Sequence, residues 1–314
     1  MDEFFCFERS ERFCGLRRAA AQCYNMGMKY AVIDIGSNSV RLMLSDGAIT
    51  LGKRLESTRL SEGLSLSGAL SADAIERTAR AVANFVSEAK AEKCDVVYAF
   101  ATEAVRSASN GAEFVARCAR DGVKVDVLPG GDEAKLGFWG AYSGGRQAVL
   151  DIGGASTELA VGDECGLEYG KSLHIGSVRI RDLCGEDIAA IKSLAASTVK
   201  QYGAVPTFDK LISIGGTGST LVSVDKAMKV YDTTRVHGAV LTRARVEEIA
   251  MKIHSVPLDE REKIVGLPPK RKDVVVGAAL LMCEVMDFLG AAEITVSESD
   301  NQEGYLKLKL GQIS

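Results

Sequence analysis

Residues 148–159 read Ala148-Val149-Leu150-Asp151-Ile152-Gly153-Gly154-Ala155-Ser156-Thr157-Glu158-Leu159. An apolar run ends on a carboxylate, turns through glycines and resumes with alternating polarity, which is typical of a β-hairpin. Gly153 and Gly154 allow a turn whose N–H groups can approach an anion without an intervening Cβ. Because Asp151 and Glu158 flank that turn and would repel a phosphate, the hairpin predicts a divalent cation, Mg²⁺, between them.

The same pattern occurs earlier, as Tyr30-Ala31-Val32-Ile33-Asp34-Ile35-Gly36-Ser37-Asn38-Ser39-Val40-Arg41-Leu42. A single Asp-Ile-Gly turn is often an ordinary strand end, because glycine interrupts many strands. Two matched copies instead indicate two related halves, and we expect each half to present one phosphate-binding hairpin to a shared cleft.

Length, composition and charge restrict the class of protein. With 314 residues, 46% of them hydrophobic, the chain is long enough for two domains with a core each. A net charge of −4 argues against a nucleic-acid-binding protein, so neither DNA nor RNA is an expected partner. The longest apolar run, residues 274–283, is shorter than the roughly 20 residues that a bilayer requires. We therefore expect a cytoplasmic protein without a membrane partner.

Cysteine and histidine offer little catalytic chemistry. The eight cysteines form no Cys-x-x-Cys pair and no zinc-ligand spacing with a histidine. Three histidines, His174, His237 and His254, leave little room for a Ser-His-Asp triad or a His-based metal centre. Hydrolysis would therefore have to use carboxylates.

The paired hairpins resemble the actin/Hsp70/sugar-kinase superfold, and the residues around them resemble the exopolyphosphatase/guanosine pentaphosphate phosphohydrolase (Ppx/GppA) family within it. The resemblance runs from about Met28 to the C-terminus. Further stretches that carry it are Leu60-Ser61-Glu62-Gly63-Leu64, residues 101–110, Gly131-Asp132-Glu133-Ala134-Lys135, residues 172–179, Gly215-Gly216-Thr217 and Glu303-Gly304.

This resemblance implies an α/β fold of two actin-like (ribonuclease H-like) domains with a phosphate-binding cleft between them. Domain I would cover residues 28–145, which the segment 298–314 could complete, and domain II would cover residues 146–297. Residues 1–27 would form a leader that is poorly ordered or precedes a genuine start at Met28, so we expect its deletion to be harmless. The alternative is that its aromatic side chains dock as an additional helix or contact a partner subunit.

The resemblance also implies catalytic and metal-binding roles. Asp34, Asp151 and Glu158 would hold Mg²⁺ directly or through water, and Glu158 is also counted as catalytic. Glu133 matches the second glutamate of the family's Glu-Glu-Ala-Arg motif and would activate the attacking water. Arg106 would neutralise the charge that develops on the phosphoryl group. Asp132, by contrast, is explained by the helix dipole alone.

The implied phosphate-binding residues lie in both halves of the chain. They are Ser37, Asn38 and Ser39 of the first hairpin, Gly153, Gly154, Ala155 and Ser156 of the second, Gly216 and Thr217 of the Gly-Gly-Thr turn, and the cations Arg59 and Arg271. The Gly-Gly-Thr turn has an alternative interpretation as a helix start capped by Thr217 or Ser219. The basic cluster around Arg271 has the alternative interpretation of a solvated charged face.

Three residues depart from the family pattern. Lys135 replaces the motif arginine and loses its bidentate fork. Ala155 replaces a glycine, which suits most turns unless φ is positive. Gln302 stands where the family usually has an arginine, so a cation is missing there.

The implied activity is Mg²⁺-dependent hydrolysis of the terminal phosphoanhydride of inorganic polyphosphate, releasing orthophosphate. An alternative is removal of the 5′-phosphate of guanosine pentaphosphate, because both substrates present the same linear phosphate end. An alternative of another class is a non-catalytic phosphate or nucleotide sensor, and an ATP-dependent sugar kinase is a further one. A homodimer is also expected.

Between the motifs, periodicity predicts a short series of elements. The predicted strands are residues 49–58, 95–101, 123–128, 210–214 and 293–296. The predicted helices are residues 71–90, 113–121, 133–142, 187–202, 242–254 and 274–289, with another starting at residue 178. Residues 102–110 are predicted as a loop, and residues 297–304 as a segment that closes the site.

Overall fold

The computed structural model describes residues 27–313. The expectation for the leader therefore falls on residues outside the described range, apart from Gly27. Within residues 27–313, no helix combines the length and apolar character needed to cross a bilayer.

Two sheets organise the described residues. The strands are β1 (Tyr30–Ile35), β2 (Ser39–Ser45), β3 (Thr50–Ser57), β4 (Val96–Ala101), β5 (Asp126–Val127), β6 (Gln147–Ile152), β7 (Thr157–Asp163), β8 (Gly166–Leu173), β9 (Lys210–Ile214), β10 (Val240–Thr242) and β11 (Glu293–Val296). The first sheet has the order β3-β2-β1-β4-β5, and the second has the order β10-β11-β9-β6-β7-β8.

Helices cover and connect these sheets. They are α1 (Leu64–Ser67), α2 (Ala72–Ala91), α3 (Glu103–Ser107), α4 (Gly111–Arg120), α5 (Gly130–Ala141), α6 (Ser177–Cys184), α7 (Ile188–Val199), α8 (Gly215–Asp225), α9 (Thr233–Val236), α10 (Arg243–His254), α11 (Val275–Leu289) and α12 (Asn301–Lys309), with 3₁₀ turns at Lys200–Tyr202, Arg261–Lys263 and Pro269–Arg271.

The two halves repeat one topology. In the first, β1 pairs antiparallel with β2 and parallel with β4. In the second, β6 pairs antiparallel with β7 and parallel with β9. The registers also correspond, because Asp34 lies opposite Arg41 and Asp151 lies opposite Glu158. The prediction of an α/β protein built from two related halves is confirmed.

Each sheet has its own hydrophobic core. The first sheet packs against α2 and α4 through residues such as Ile33, Val82 and Phe114. The second packs against α7, α10 and α11 through residues such as Leu150 and Leu281. The predicted domain boundary near residue 145 stays a prediction.

Helices α5 and α12 lie between the two cores. Leu136 of α5 joins Tyr305 and Leu306 of α12 on the first sheet. Phe138, two residues along α5, packs on the second sheet beside Ile214. The C-terminal helix, which lies in the segment 298–314, therefore packs on the sheet of the first half.

Glycines bring α5 and α12 into backbone contact. A Cβ at Gly304 would overlap the carbonyl of Leu136, and a Cβ at Gly140 would overlap the carbonyl of Asp300. We expect Gly304→Ala to lower the free energy of unfolding by about 1–3 kcal/mol, because the helices must separate to admit one methyl group. Thermal unfolding of the full chain measures this loss.

Gly131→Ala is the matched control, because nothing lies within 4 Å of the Cβ that it adds on α5. We expect its melting temperature to be unchanged or higher, since alanine favours a helix by up to about 1 kcal/mol over glycine. A Gly304→Ala protein as stable as Gly131→Ala would contradict the close helix crossing.

Three sequence predictions of local structure need correction. The predicted loop at residues 102–110 contains the helix Glu103–Ser107. The predicted strand at residues 123–128 is reduced to Asp126–Val127, and α5 begins at Gly130 rather than at residue 133. Glycine has low helix propensity, so the start of α5 depends on its packing between the sheets.

Candidate active site

The two hairpin turns have the same hydrogen bond and face each other. Gly36 N donates to Ser39 O at 3.0 Å, and Gly153 N donates to Ser156 O at 3.0 Å. A Cβ on Gly154 would lie only 2.7 Å from the Cβ of Ser37 and 3.2 Å from Asn38 N. The structure therefore brings the two predicted phosphate-binding hairpins together, with their turn residues largely buried.

The second turn is held by the start of α6. Ser177 N donates to Gly153 O at 2.9 Å, and Val178 N donates to Gly154 O at 2.8 Å. Ala155 is buried and is not among the described non-glycine residues with positive φ. The departure at Ala155 therefore costs no backbone strain.

Four buried carboxylates come from the predicted catalytic and metal-binding set. Asp34 and Asp151 are the next-to-last residues of equivalent strands, Glu158 follows the second turn, and Glu133 lies in the first turn of α5. Burial, together with the charges of Asp300 and Asp34, raises the pKa of Asp151 to about 6 against the opposing effect of Arg41. Burial and then the charge of Glu158 raise the pKa of Glu133 well above its ordinary value.

Two carboxylate oxygens in this group have no partner. Asp34 Oδ1 and Glu158 Oε2 are buried and accept no hydrogen bond from any described residue. Glu158 Oε1 accepts one from Ser172 Oγ at 2.6 Å. Since a buried, unpaired carboxylate oxygen is costly, these two positions suit a cation or a water bound to one.

These residues fit Mg²⁺ in one particular form. No group of three acidic, His or Cys side chains within residues 27–313 is gathered closely enough to hold a metal by itself. Magnesium commonly uses one or two carboxylates and completes its shell with water and substrate phosphate oxygens. The orphaned oxygens of Asp34 and Glu158 fit that arrangement, with Asp151 beside them.

Arg41 is a residue that the sequence interpretation missed. Its Nε donates to Asp34 Oδ2 at 3.0 Å, and its Nη1 pairs with Asp300 at the start of α12. Its position opposite Asp34 in the hairpin register was a usable signal, because cross-strand neighbours of opposite charge attract. Asp300 carried no such signal.

The N-terminus of α12 contributes two more contacts to the cleft. Asn301 Nδ2 donates to Asp151 Oδ2 at 2.9 Å. Gln302 is fully buried and its Nε2 donates to Val32 O at 2.8 Å. Gln302 therefore binds the backbone of the first sheet.

Arg106 lies against the proposed base. Its Nη1 is 3.2 Å from Glu133 Oε2 and also donates to Leu128 O, while its Nη2 pairs with Glu103. Glu103 Oε1 is in turn 2.6 Å from His174 Nδ1. The structure thus brings Arg106 and Glu133 into contact, a pairing that the sequence interpretation did not specify, and their catalytic roles stay predictions. It also adds Glu103, which the sequence interpretation did not single out.

The Gly-Gly-Thr turn starts α8 directly after β9. Neither Thr217 nor Ser219 caps this helix, because Thr217 Oγ1 donates to Ile152 O at 3.2 Å and Ser219 Oγ donates to Gly215 O at 3.2 Å. The turn does start a helix, as the alternative interpretation predicted, but the predicted cap by Thr217 or Ser219 is wrong. The turn instead leaves backbone N–H groups available at a helix N-terminus.

Arg271 lies over this turn. Its guanidinium is so close to Gly216 that any Cβ there would overlap it. Burial and the charge of Arg41 lower the pKa of Arg271 to about 10. No carboxylate within residues 27–313 forms an ion pair with it, so Arg271 is a half-buried cation available to an anion.

The remaining residues that the sequence singled out have fewer contacts with the carboxylates of the cleft. Arg59 Nη2 donates to Asp273 Oδ1 at 2.8 Å, so its charge is already paired across the cleft. Lys135 is half-buried and Asp132 is exposed. The roles of Arg59 and Lys135 stay predictions.

A family model matches this chain over residues 45–312, and it describes the Ppx/GppA phosphatase family. The chain belongs to the Ppx/GppA phosphatase family. Solved structures of members share its fold. A family member from Aquifex aeolicus has a TM-score of 0.75 at 26% identity and covers 91% of this chain and 98% of its own. Two actin-like domains, as the sequence predicted, are therefore confirmed as the fold class.

Curated relatives of this chain differ in length. A bifunctional 3-dehydroquinate synthase/phosphatase of Fusobacterium nucleatum is 31% identical over 90% of this chain, which spans 46% of that longer protein. Exopolyphosphatase 2 of Mycobacterium tuberculosis is 26% identical over 88% of this chain and 97% of its own length. A guanosine-5′-triphosphate,3′-diphosphate pyrophosphatase of Photobacterium profundum is 28% identical over 88% of this chain and 58% of its own.

Proposed function

We propose that this protein hydrolyses the terminal phosphoanhydride of inorganic polyphosphate and releases orthophosphate. One observation carries the proposal: a buried glutamate, Glu133, has a raised pKa and contacts Arg106 in the cleft formed by the two hairpins. That arrangement combines a general base with a cation for the phosphoryl group. The matching exopolyphosphatase from Mycobacterium tuberculosis supports the substrate.

A residue of the cleft can be assigned to each step of the proposed reaction. Backbone N–H groups of residues 37–39 and 154–156 would surround the terminal phosphoryl group, whereas Gly153 N already donates to Ser156 O within the turn. Glu133 would take a proton from the attacking water, and Arg106 would stabilise the charge on the phosphoryl oxygens. Arg271 and the start of α8 would hold the next phosphates of the chain.

Magnesium is part of the proposal. Asp34, Asp151 and Glu158 would hold it, and when bound it would supply charge neutralisation for the phosphoryl oxygens. The support is the pair of orphaned oxygens on Asp34 and Glu158. Arg41 already neutralises the other oxygen of Asp34, so one further cation is enough to satisfy this group.

A second candidate substrate is guanosine pentaphosphate. Tyr231 is half-exposed, and its hydroxyl donates to Glu298 Oε1 at 2.6 Å, two residues before Asp300 at the start of α12. An exposed aromatic ring at the edge of the cleft can stack on a nucleotide base. The relative from Photobacterium profundum acts on a guanosine nucleotide by its name. The sensor interpretation is less favoured because Asp34, Glu133, Asp151 and Glu158 are all present in the cleft.

One panel tests these proposals. Purified protein is incubated with polyphosphate, with guanosine pentaphosphate and with ATP plus sugars, each with and without Mg²⁺, and released orthophosphate and phosphorylated sugar are measured. We expect Mg²⁺-dependent orthophosphate from polyphosphate, with guanosine pentaphosphate as the alternative substrate. Phosphorylated sugar would show a kinase, and tight binding without turnover would show a sensor.

A cytoplasmic location and a homodimer stay predictions from the sequence. Light scattering of the full chain at several concentrations measures the oligomeric state.

A further inference from the structure

Glu103 is the most deeply buried acidic residue of the cleft, with 1% of its surface exposed, and it belongs to neither hairpin. It lies in the first turn of α3, directly after β4. Its Oε2 pairs with Nη2 of Arg106 one turn later, and its Oε1 lies 2.6 Å from Nδ1 of His174. A buried carboxylate is tolerated when both oxygens are paired in this way.

These contacts connect the two sheets around the cleft. Arg106 contacts both Glu103 and Glu133, the proposed base. His174 follows β8 of the second sheet, and Ser172 at the end of that strand donates to Glu158. One line of hydrogen-bonded side chains therefore runs from Glu133 through Arg106 and Glu103 to the strand that contacts Glu158.

We propose that Glu103 is a positioning residue for Arg106 and that His174 couples this position to β8. The inference rests on the proposed phosphohydrolase function. Arg106 has a carboxylate on each side of its guanidinium, and the planar fork is oriented by both. If Glu103 loses its charge, Glu133 becomes the remaining acidic partner of Arg106.

Without the charge of Glu103, the guanidinium of Arg106 would rotate toward Glu133, and two effects would follow. A closer Arg106–Glu133 pair would hold Glu133 as an ion-paired carboxylate, which is a weaker base. The guanidinium would also leave the position from which it stabilises the transferred phosphoryl group. Both effects act in the transition state, so kcat should fall more than KM changes.

A double-mutant cycle tests the positioning role. The proteins are wild type, Glu103→Gln, Arg106→Gln and the double variant, with kcat and KM measured separately on the substrate that wild type hydrolyses. We expect Glu103→Gln to lower kcat about tenfold or more with KM within about twofold. In the Arg106→Gln background the same change should lower kcat by less than about twofold, because Glu103 acts through Arg106. Glu103→Asp retains the charge and should restore part of kcat.

His174 allows a variant with little risk to folding, because 71% of its side chain is exposed. We expect His174→Ala to lower kcat about threefold in wild type and not at all in Glu103→Gln. His174→Gln, whose amide can donate to Glu103, should recover most of that loss. Glu247→Gln is the control, because it breaks a contact with Arg243 and Lys192 in another part of the molecule and should leave kcat unchanged.

Three results would overturn the proposal. One is a double variant whose fold-loss in kcat equals the product of the losses in Glu103→Gln and Arg106→Gln, because the two residues would then act independently. Another is a lower melting temperature with an unchanged kcat per folded molecule. If Glu103→Gln does not fold, His174→Ala is combined with Arg106→Gln instead. A fold-loss in kcat equal to the product of the two single losses then also overturns the proposal. A wild-type protein inactive on every substrate would instead contradict the proposed function, and a crystal structure of Glu103→Gln with Arg106 unmoved would then decide against positioning.

Discussion

Replacing Glu133 with alanine is expected to abolish turnover while leaving polyphosphate binding nearly intact. A general base acts on the attacking water and contributes about 10²–10⁴-fold to the rate, but it makes no attractive contact with a bound polyanion. Steady-state kinetics give the loss in kcat, and a binding isotherm for polyphosphate gives the affinity. Retention of more than about a tenth of the wild-type kcat would show that another group activates the water.

Asp132→Asn is the matched control for this variant. Asp132 lies in the same first turn of α5 and is exposed, whereas Glu133 is buried against Arg106. Both substitutions remove one negative charge near the helix N-terminus, so a general electrostatic effect would appear in both. We expect Asp132→Asn to keep nearly full activity.

The pH profile gives a second measurement of the role of Glu133. Burial and the charge of Glu158 raise its pKa, and a base must be deprotonated to accept a proton. The acidic limb of the kcat profile should therefore lie above the ordinary range of glutamic acid, with activity rising as pH rises through the raised pKa. Glu158→Gln removes the second-largest cause of that shift and should move the limb to lower pH.

The second large effect is expected for Mg²⁺ dependence. Asp151→Asn and Glu158→Gln should each raise the Mg²⁺ concentration for half-maximal activity by at least about tenfold, because each removes a charged oxygen from the proposed site. Both residues are buried and both have raised pKa values, so neutral amides of the same shape fit without new desolvation cost. Activity and calorimetric titrations with Mg²⁺ measure the change.

Asp163→Asn controls for the loss of a carboxylate from the same sheet. Asp163 ends β7 at the opposite end from Glu158 and pairs with Arg146 near the surface. Its Mg²⁺ titration should match that of wild type. If the titrations of Asp151→Asn and Glu158→Gln also match it, neither residue belongs to the metal site.

The repeated hairpin can be predicted from the sequence because it depends only on the order of residues within a short stretch. Strand periodicity, a terminal aspartate and a glycine turn occur within a dozen residues, and each indicates the same element. A duplicated element in turn predicts a duplicated topology, so local pattern is enough to place Asp34 and Asp151 at equivalent strand ends. Helix α2 is predictable for the same reason, from apolar spacing after the N-cap Ser71.

Only the tertiary structure could identify the residues that join these elements. Arg41 pairs with Asp300, which is 259 residues away in sequence, and Glu103 contacts His174, which is 71 residues away. Arg271 of the 3₁₀ turn Pro269–Arg271 lies over Gly216 in the first turn of α8, although the two residues are far apart in sequence. Such contacts have no periodicity or spacing in the chain, since they depend on the packing of separate segments. The sequence therefore determined the two hairpins with their acids and, through the family resemblance, named Arg106, Glu133 and Arg271 as candidates. Folding decided which side chains each of them contacts, because those contacts depend on the packing of separate segments.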